Sequence, residues 1–263
     1  GQRDSSASPW ITLGRPVADA GHWFGDIEID PFNADHVLYT TGATIWECND
    51  ITAADPGQRT HWHVGAAGLE ETVVLDLMAP PRGPLLVSAV GDIGGFVHDD
   101  LAVSPPQGRT TPVFTNTESL DYAGRQPEVL VRTGTVRNGP SGRSDHGSFS
   151  RDGGAHWSLF PTEPANSTGG GPVAVSADGK TFLWAPHGAG LSWSNDEGAT
   201  WTLSEGTPRA GGRNRGPMFV ADKVDPAAFY LLDPAGQLLA SHDGGKSFAA
   251  TGANLPGRGG SLK

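Results

Sequence analysis

Short apolar segments recur along the whole chain, and residues that favour turns separate them. Ile27-Glu28-Ile29, for example, is followed by the turn sequence Asp30-Pro31-Phe32-Asn33 and then by another apolar segment at 37–40. Short segments bounded by Gly, Pro, Asn and Asp are typical of β-strands joined by turns. No long stretch has the apolar spacing of an amphipathic helix. The pattern therefore predicts an all-β protein.

Grouped by four, these segments predict about five blades of a β-propeller. The predicted strands are 27–29, 37–40, 43–46 and 61–64; 72–78, 85–90, 95–98 and 112–115; 119–122, 128–133, 147–150 and 157–160; 173–176, 181–185, 190–194 and 201–203; 218–221, 229–233, 238–241 and 248–251. Residues 1–21 are predicted to form a tail and a first outer strand over 10–13. Residues 22–263 form the propeller in this interpretation.

A repeated motif supports the blades. The pattern S-x-D-x-G-x-x-W/F, known as an Asp box, begins at Ser150, Ser194 and Ser241, a spacing typical of a repeated supersecondary unit. The Asp carboxylate can accept backbone N–H groups and fix a tight turn, and the Gly allows a positive φ. Each box is therefore predicted to be a hairpin turn within a blade, so that its Asp has a structural role.

Composition excludes several classes of function. The net charge of −11 argues against nucleic acid or an anionic membrane as a partner. No apolar stretch is long enough to cross a bilayer, and no signal peptide is found at Gly1, so any export signal is expected to have been removed or to lie upstream. The single cysteine, Cys48, cannot form an intrachain disulfide. His61 and His63 lack a third convergent ligand, so neither a metal nor a cofactor is expected.

The stretch Gly91-Asp92-Ile93-Gly94-Gly95-Phe96 departs from the Asp-box pattern. Its glycines allow a sharp turn and the close approach of a ligand, and apolar neighbours are expected to remove Asp92 partly from water. This environment suits a general acid, although a turn-forming Asp is an equal alternative.

The acid pairs at 70–71 and 99–100 are predicted to be solvated edge charges, because adjacent strand residues point to opposite faces. Trp23 either stacks on a sugar ring or packs in the core.

Several segments in order resemble the second propeller of glycoside hydrolase family 74, the xyloglucan-cleaving endoglucanases. They are residues 23–32, 41–46, 68–77 and 91–96, with Trp184-Ala185-Pro186 further along. The resemblance covers about 23–263. Because the series includes motifs other than Asp boxes, it is more specific than the boxes alone.

The resemblance implies two seven-bladed propellers that face each other across a cleft, where a branched β-1,4-glucan is cleaved with inversion. It implies that Asp92 is the general acid and that the base lies in a first propeller, for which no second D-x-G-G motif is found here. Xyloglucan or a related β-glucan and that first propeller would be the partners, outside the cell. Predicted substrate contacts are Trp23, Trp46, Gly94, Gly95 and Phe96.

Two other functions remain open. A non-catalytic propeller that binds carbohydrate or peptide would not depend on Asp92. A sialidase would need an arginine triad and a tyrosine nucleophile, and the chain has only three tyrosines, Tyr39, Tyr122 and Tyr230. If the resemblance holds, the chain without a partner base should bind glucan weakly and hydrolyse it very slowly.

Overall fold

The computed structural model describes residues 1–8, 11, 24–42, 44–67, 72–136, 145–208 and 217–255. Apart from a short 3-10 helix at Ile51–Ala54, the regular structure in these residues is β-strand. The chain divides into two compact units. Unit 1 comprises residues 1–73 and 102–109, and unit 2 comprises residues 74–101 and 110–263.

Unit 1 contains one five-stranded sheet with the order β1-β5-β4-β3-β2. Its strands are β1 (Gln2–Asp4), β2 (Ile27–Ile29), β3 (Val37–Thr40), β4 (Ile45–Cys48) and β5 (His61–Val64). The four strands predicted for the first blade are observed, and they pair antiparallel. The fifth, β1, lies in the segment predicted as a tail and pairs parallel with β5. The outer strand predicted at 10–13 lies outside the described residues except for Ile11.

Unit 2 contains a seven-stranded sheet and two four-stranded sheets. Its strands are β6 (Val74–Met78), β7 (Leu86–Val90), β8 (Gly94–His98), β9 (Asn116–Tyr122), β10 (Leu130–Thr135), β11 (Gly147–Ser150), β12 (Ser158–Leu159), β13 (Val173–Val175), β14 (Phe182–Trp184), β15 (Ser192–Ser194), β16 (Thr202–Leu203), β17 (Met218–Ala221), β18 (Phe229–Leu232), β19 (Gln237–Ser241) and β20 (Ala249–Asn254). The seven-stranded sheet consists of two antiparallel sheets. They are joined where β8 and β9 pair in parallel, at Gly94 and Asn116.

The prediction of a strand at 112–115 is wrong, because these residues have no strand structure. Pro112 lacks the N–H that a ladder needs, and its carbonyl oxygen accepts a hydrogen bond from Arg132 instead. The blade that begins with β6 therefore has three strands in the described residues. The other predicted blades of unit 2 have four strands each.

The sheets of unit 2 pack face to face in chain order. Leu183 of one four-stranded sheet lies in the same buried cluster as Phe229 and Leu231 of the next. Side chains also join the innermost strands, since Asp76 accepts the N–H of Leu120 at 3.0 Å. Stacked antiparallel sheets with adjacent inner strands are the arrangement of propeller blades. The prediction of an all-β propeller fold is confirmed.

The Asp-box turns have the predicted geometry. In the box at 241–248, the Asp243 carboxylate accepts the N–H groups of Lys246 and Ser247, each at 3.0 Å. The Ser241 hydroxyl donates to Asp243 at 2.7 Å and accepts the N–H of Gly245 at 2.9 Å. The aromatic residue of this box, Phe248, is buried. The carboxylate is thus used within its own turn, as a structural role requires.

Candidate functional site

Asp92 lies at the tip of the hairpin between β7 and β8. The strands pair as far as Val90 and Gly94, which leaves residues 91–93 for the turn. The Ile93 N–H donates to the Gly91 carbonyl oxygen at 2.8 Å, and Asp92 between them has a φ of 64°. A three-residue turn with positive φ at its centre is rare, and it is strained for a residue other than Gly. Strain of this kind is concentrated at functional sites.

The Asp92 side chain is exposed to solvent. The partial burial expected from its apolar neighbours is not observed in this chain, although Val90 and Ile93 are themselves buried. An exposed carboxyl group on a rigid turn can reach a substrate that lies outside the sheet.

Asn116, the first residue of β9, holds this turn from the neighbouring blade. Its side-chain oxygen accepts the Asp92 N–H at 2.8 Å, and its amide nitrogen donates to the Thr135 hydroxyl at 3.2 Å. Sequence reasoning missed Asn116, since nothing in the local sequence indicates contact with a residue 24 positions earlier.

Gly94 and Gly95 allow the backbone to pack closely beneath the turn. Gly94 has a φ of 88°, and a Cβ there would lie 2.9 Å from the Phe114 carbonyl oxygen. A Cβ on Gly95 would lie 2.1 Å from the Ser88 carbonyl oxygen. Both glycines are buried, so packing accounts for their presence. Their predicted contact with substrate stays a prediction.

A buried arginine supports the loop that packs on this turn. The Arg132 Nε donates to the Ser148 hydroxyl at 2.8 Å, and its Nη2 donates to the Pro112 carbonyl oxygen at 2.6 Å. The guanidinium carbon lies 4.6 Å from the ring centre of Phe114 and 4.5 Å from that of Trp157. Burial lowers the pKa of Arg132 to about 9, so the side chain remains charged at neutral pH.

Thr110 links this arginine to the hairpin. Its hydroxyl accepts a hydrogen bond from Arg132, and its backbone N–H donates to the Gly95 carbonyl oxygen at 2.8 Å. The position of the Asp92 turn thus depends on a chain of contacts that begins in the core of the next blade.

Two aromatic residues that were predicted to contact substrate are buried. Trp46 is 0% exposed and packs with Tyr39 and Val64 in the core of unit 1. Phe96 is 7% exposed. A sugar can stack only on an accessible ring face, so burial argues against substrate stacking at both residues. Trp23 lies outside the described residues, and so do Glu70 and Glu71.

A cavity of about 550 Å³ lies among the innermost strands of unit 2. Its lining is mostly apolar, with Asp76, Asp121 and Lys223 as charged members, and it does not include Asp92. The Lys223 ammonium donates to the Asp121 carboxylate at 2.5 Å. Burial raises the pKa of Asp121, and the charge of Lys223 opposes this rise. The pair lies apart from the turn that carries Asp92.

Within the described residues, no group of three or more His, Cys, Asp or Glu side chains is placed to hold a metal ion. His61 pairs with Asp50 at 2.6 Å and His63 with Glu47 at 3.5 Å. Among helices of the described ranges, none has the length and apolar character to span a bilayer.

The chain is similar to part of several xyloglucanases. It is 39% identical over 254 residues to a xyloglucanase of Paenibacillus sp., and the match covers 94% of this chain and 24% of that protein. It is 39% identical over 256 residues to a xyloglucanase of Acetivibrio thermocellus, and the match covers 95% of this chain and 29% of that protein. The crystal structure of a GH74 xyloglucanase from Xanthomonas campestris superposes with a TM-score of 0.85 at 38% identity, and the match covers 100% of this chain and 36% of that one. No protein-family model matches the chain.

This chain therefore spans about a quarter to a third of the length of the xyloglucanases that it matches. The resemblance inferred from the motifs at 23–96 is confirmed over nearly the whole chain.

Proposed function

Because the chain is homologous to part of the family 74 glycoside hydrolases, we propose that it supplies the general acid of an inverting enzyme that cleaves the β-1,4-glucan backbone of xyloglucan. Asp92 is the proposed acid. The observation that carries the proposal is an exposed aspartate at a strained, positive-φ turn, in a chain 39% identical to xyloglucanases.

The proposed reaction needs two carboxyl groups. In an inverting glycosidase one protonates the leaving oxygen and the other activates water, with roughly 6.5–9.5 Å between them. Asp92 would donate its proton to the glycosidic oxygen as the bond to the anomeric carbon breaks. We assign the base to polypeptide beyond this chain, as in the two-propeller arrangement that the resemblance implies. The same polypeptide would cover Asp92 and remove it from water.

The proposed substrate is a polymer too large to enter a cell. We therefore place the action of the enzyme outside the cell.

A chimera tests the proposal. The matching 254-residue segment of the Paenibacillus xyloglucanase is replaced with this chain, and release of reducing ends from xyloglucan is measured. Asp92→Ala should lower kcat by about 10²–10⁴-fold, the usual contribution of general acid–base catalysis. Asp99→Ala, which removes another exposed carboxylate from the same blade, should leave kcat within about twofold.

If Asp92→Ala and Asp99→Ala have the same small effect, Asp92 is not the acid. That result would favour the alternative function, a propeller that binds carbohydrate without cleaving it.

A further inference from the structure

Glu118 and His187 form a hydrogen-bonded pair in unit 2 that the proposed reaction does not use. The His187 Nε2 lies 2.9 Å from the Glu118 Oε2, which also accepts the Gly171 N–H at 3.0 Å. The Glu118 side chain is 25% exposed, and the His187 side chain is 39% exposed. The pair is therefore fixed by the protein and still accessible to a ligand.

The pair has hydrogen-bonding capacity left over. Within the described parts of the chain, neither Glu118 Oε1 nor His187 Nδ1 has a hydrogen-bond partner. A carboxylate only accepts, so the Nε2 of His187 carries a hydrogen, and when the ring is neutral its Nδ1 is an acceptor. The pair thus offers two neighbouring acceptors, which suit two neighbouring hydroxyl donors.

A β-bulge directs Glu118 to this position. In the β9–β10 pair, Ser119 is opposite Thr133 and Thr117 is opposite Gly134, so that Glu118 is the extra residue. Bulges redirect side chains and are common beside active sites.

Three consecutive buried glycines pack beside the pair. Residues 169–171 all have positive φ, and a Cβ on Gly170 would lie 2.5 Å from both the Glu118 Oε2 and the His187 ring. Any larger residue at Gly170 would therefore displace the pair. The close approach that these glycines allow thus lets the backbone pack directly against the two side chains.

Glu118 lies on the strand that also fixes the Asp92 turn. Asn116, which binds the Asp92 N–H, precedes Glu118 by two residues in β9, a Cα separation of roughly 6–7 Å. Gly170 donates its N–H to the Gly134 carbonyl oxygen at 2.6 Å, and Thr135, the next residue, binds Asn116. The pair and the Asp92 turn therefore lie at the same end of the sheet.

From these contacts we infer that Glu118 and His187 form a sugar-binding subsite beside Asp92, which accepts hydrogen bonds from two hydroxyl groups of one glycosyl unit. The inference rests on the proposed function, because it takes the ligand to be a xyloglucan chain whose scissile bond lies at Asp92.

The test measures binding rather than hydrolysis. The 263-residue chain is titrated with a xyloglucan-derived oligosaccharide, and Kd is obtained from NMR chemical shifts. Glu118→Gln keeps an oxygen that accepts the Gly171 N–H but removes the charge. It should raise Kd at least about tenfold, because a hydrogen bond to a charged group is worth about 1.5–3 kcal/mol.

The chain offers a matched control in a second His–Glu pair beside the same glycines. His146 lies 3.0 Å from Glu163, whose other oxygen accepts from Ser167 at 2.8 Å, and Glu163 is only 11% exposed. Glu163→Gln should leave Kd unchanged. A melting temperature near that of the wild type shows that each variant is folded.

Three results would overturn the subsite. Glu118→Gln and Glu163→Gln could raise Kd equally, which indicates a shared effect on loop shape, or Glu118→Gln could leave Kd unchanged. The third is that the wild-type chain does not bind the oligosaccharide at millimolar concentration. The proposed function survives each of them if Asp92→Ala still lowers kcat by about 10²–10⁴-fold in the chimera. Conversely, a Glu118-dependent Kd with no effect of Asp92→Ala on hydrolysis would leave a binding site and remove the catalytic role.

Discussion

Asp92 and the Asp-box aspartates occupy turns that are held in different ways. In the boxes the carboxylate accepts N–H groups of its own turn, as Asp243 does from Lys246 and Ser247. At Asp92 the backbone N–H is bound instead by the side chain of Asn116. Holding the turn from a neighbouring strand allows its backbone to keep a positive φ while the side chain projects outward. Asp92 thus has the placement of a group that acts on something outside the sheet.

The glycine beneath this turn allows a prediction with an internal control. Gly94 and Gly83 both have positive φ, at 88° and 95°. A Cβ on Gly94 would meet the Phe114 carbonyl oxygen at 2.9 Å, whereas nothing lies within 4 Å of one on Gly83. Both alanine variants incur about 1–2 kcal/mol of left-handed strain. Gly94→Ala should lower the free energy of unfolding by a further 1–3 kcal/mol or so, because of the clash.

Denaturant unfolding of the two alanine variants measures this difference. Equal losses for both variants would show that the loop at Phe114 moves freely, and would weaken the argument that it positions Asp92.

At the scale of elements, the Asp boxes connect the charge state of the protein to its stability. Burial acts to raise the pKa of Asp243, but hydrogen bonds from the Ser247 and Ser241 hydroxyl groups and from the N–H groups of Ser247 and Lys246 outweigh it and lower the pKa from 3.8 to about 2. The folded state therefore binds this proton more weakly than the unfolded state does. The resulting stabilisation is present above pH 4 and is lost as the pH falls to about 2.

Asp243→Asn should show this linkage. The variant should melt a few degrees below the wild type at pH 7, because it loses charge-assisted hydrogen bonds. The gap between the two melting temperatures should narrow as the pH falls from about 4 to 2, where the wild type loses the same interaction. Thermal melts of both proteins at several pH values measure this difference in melting temperature. A difference that does not change with pH would contradict the role assigned to the carboxylate.

Local signals explain which elements the sequence predicts well. The boxes, the turn residues and the strands of four predicted blades depend on residues close together in sequence, and they are observed nearly where predicted. The strand at 112–115 was predicted from length and composition alone, and Pro112 with its partner Arg132 replaces it with an irregular loop. The substrate contact predicted for Trp46 follows from the resemblance. The ring is buried instead, and a strand pattern alone does not show which face meets the core.

Residues that support the site are harder to predict because their contacts are long-range. Asn116 meets Asp92 across 24 residues, and Glu118 meets His187 across 69. Neither contact leaves a local motif. The bulge that directs Glu118 exists only in the pairing of β9 with β10.

At the scale of the whole molecule, the proposed function gives the chain one half of a two-carboxylate mechanism. It matches about a quarter to a third of its relatives' length, and its innermost strands expose the apolar side chains of Val74, Leu77 and Val220. Exposed apolar residues on inner strands are typical of a surface that further polypeptide covers. The base of the proposed reaction would lie in that further polypeptide.

The purified 263-residue chain should consequently hydrolyse xyloglucan very slowly. Without the base, water attack is not assisted, and the rate should fall at least about 10²-fold below that of the chimera. Reducing-end assays on both proteins at equal concentration make the comparison. Equal rates would place both catalytic groups within this chain.

The role proposed for Asp92, that of proton donor, is tested most directly by varying the leaving group. In the chimera, kcat is measured for wild type and Asp92→Ala with xyloglucan and with a dinitrophenyl glycoside of a xyloglucan oligosaccharide, whose leaving group needs no proton. Asp92→Ala should reduce kcat by about 10²–10⁴-fold on xyloglucan and by far less on the activated glycoside. A loss of the same size on both substrates would contradict a role for Asp92 in protonating the leaving oxygen.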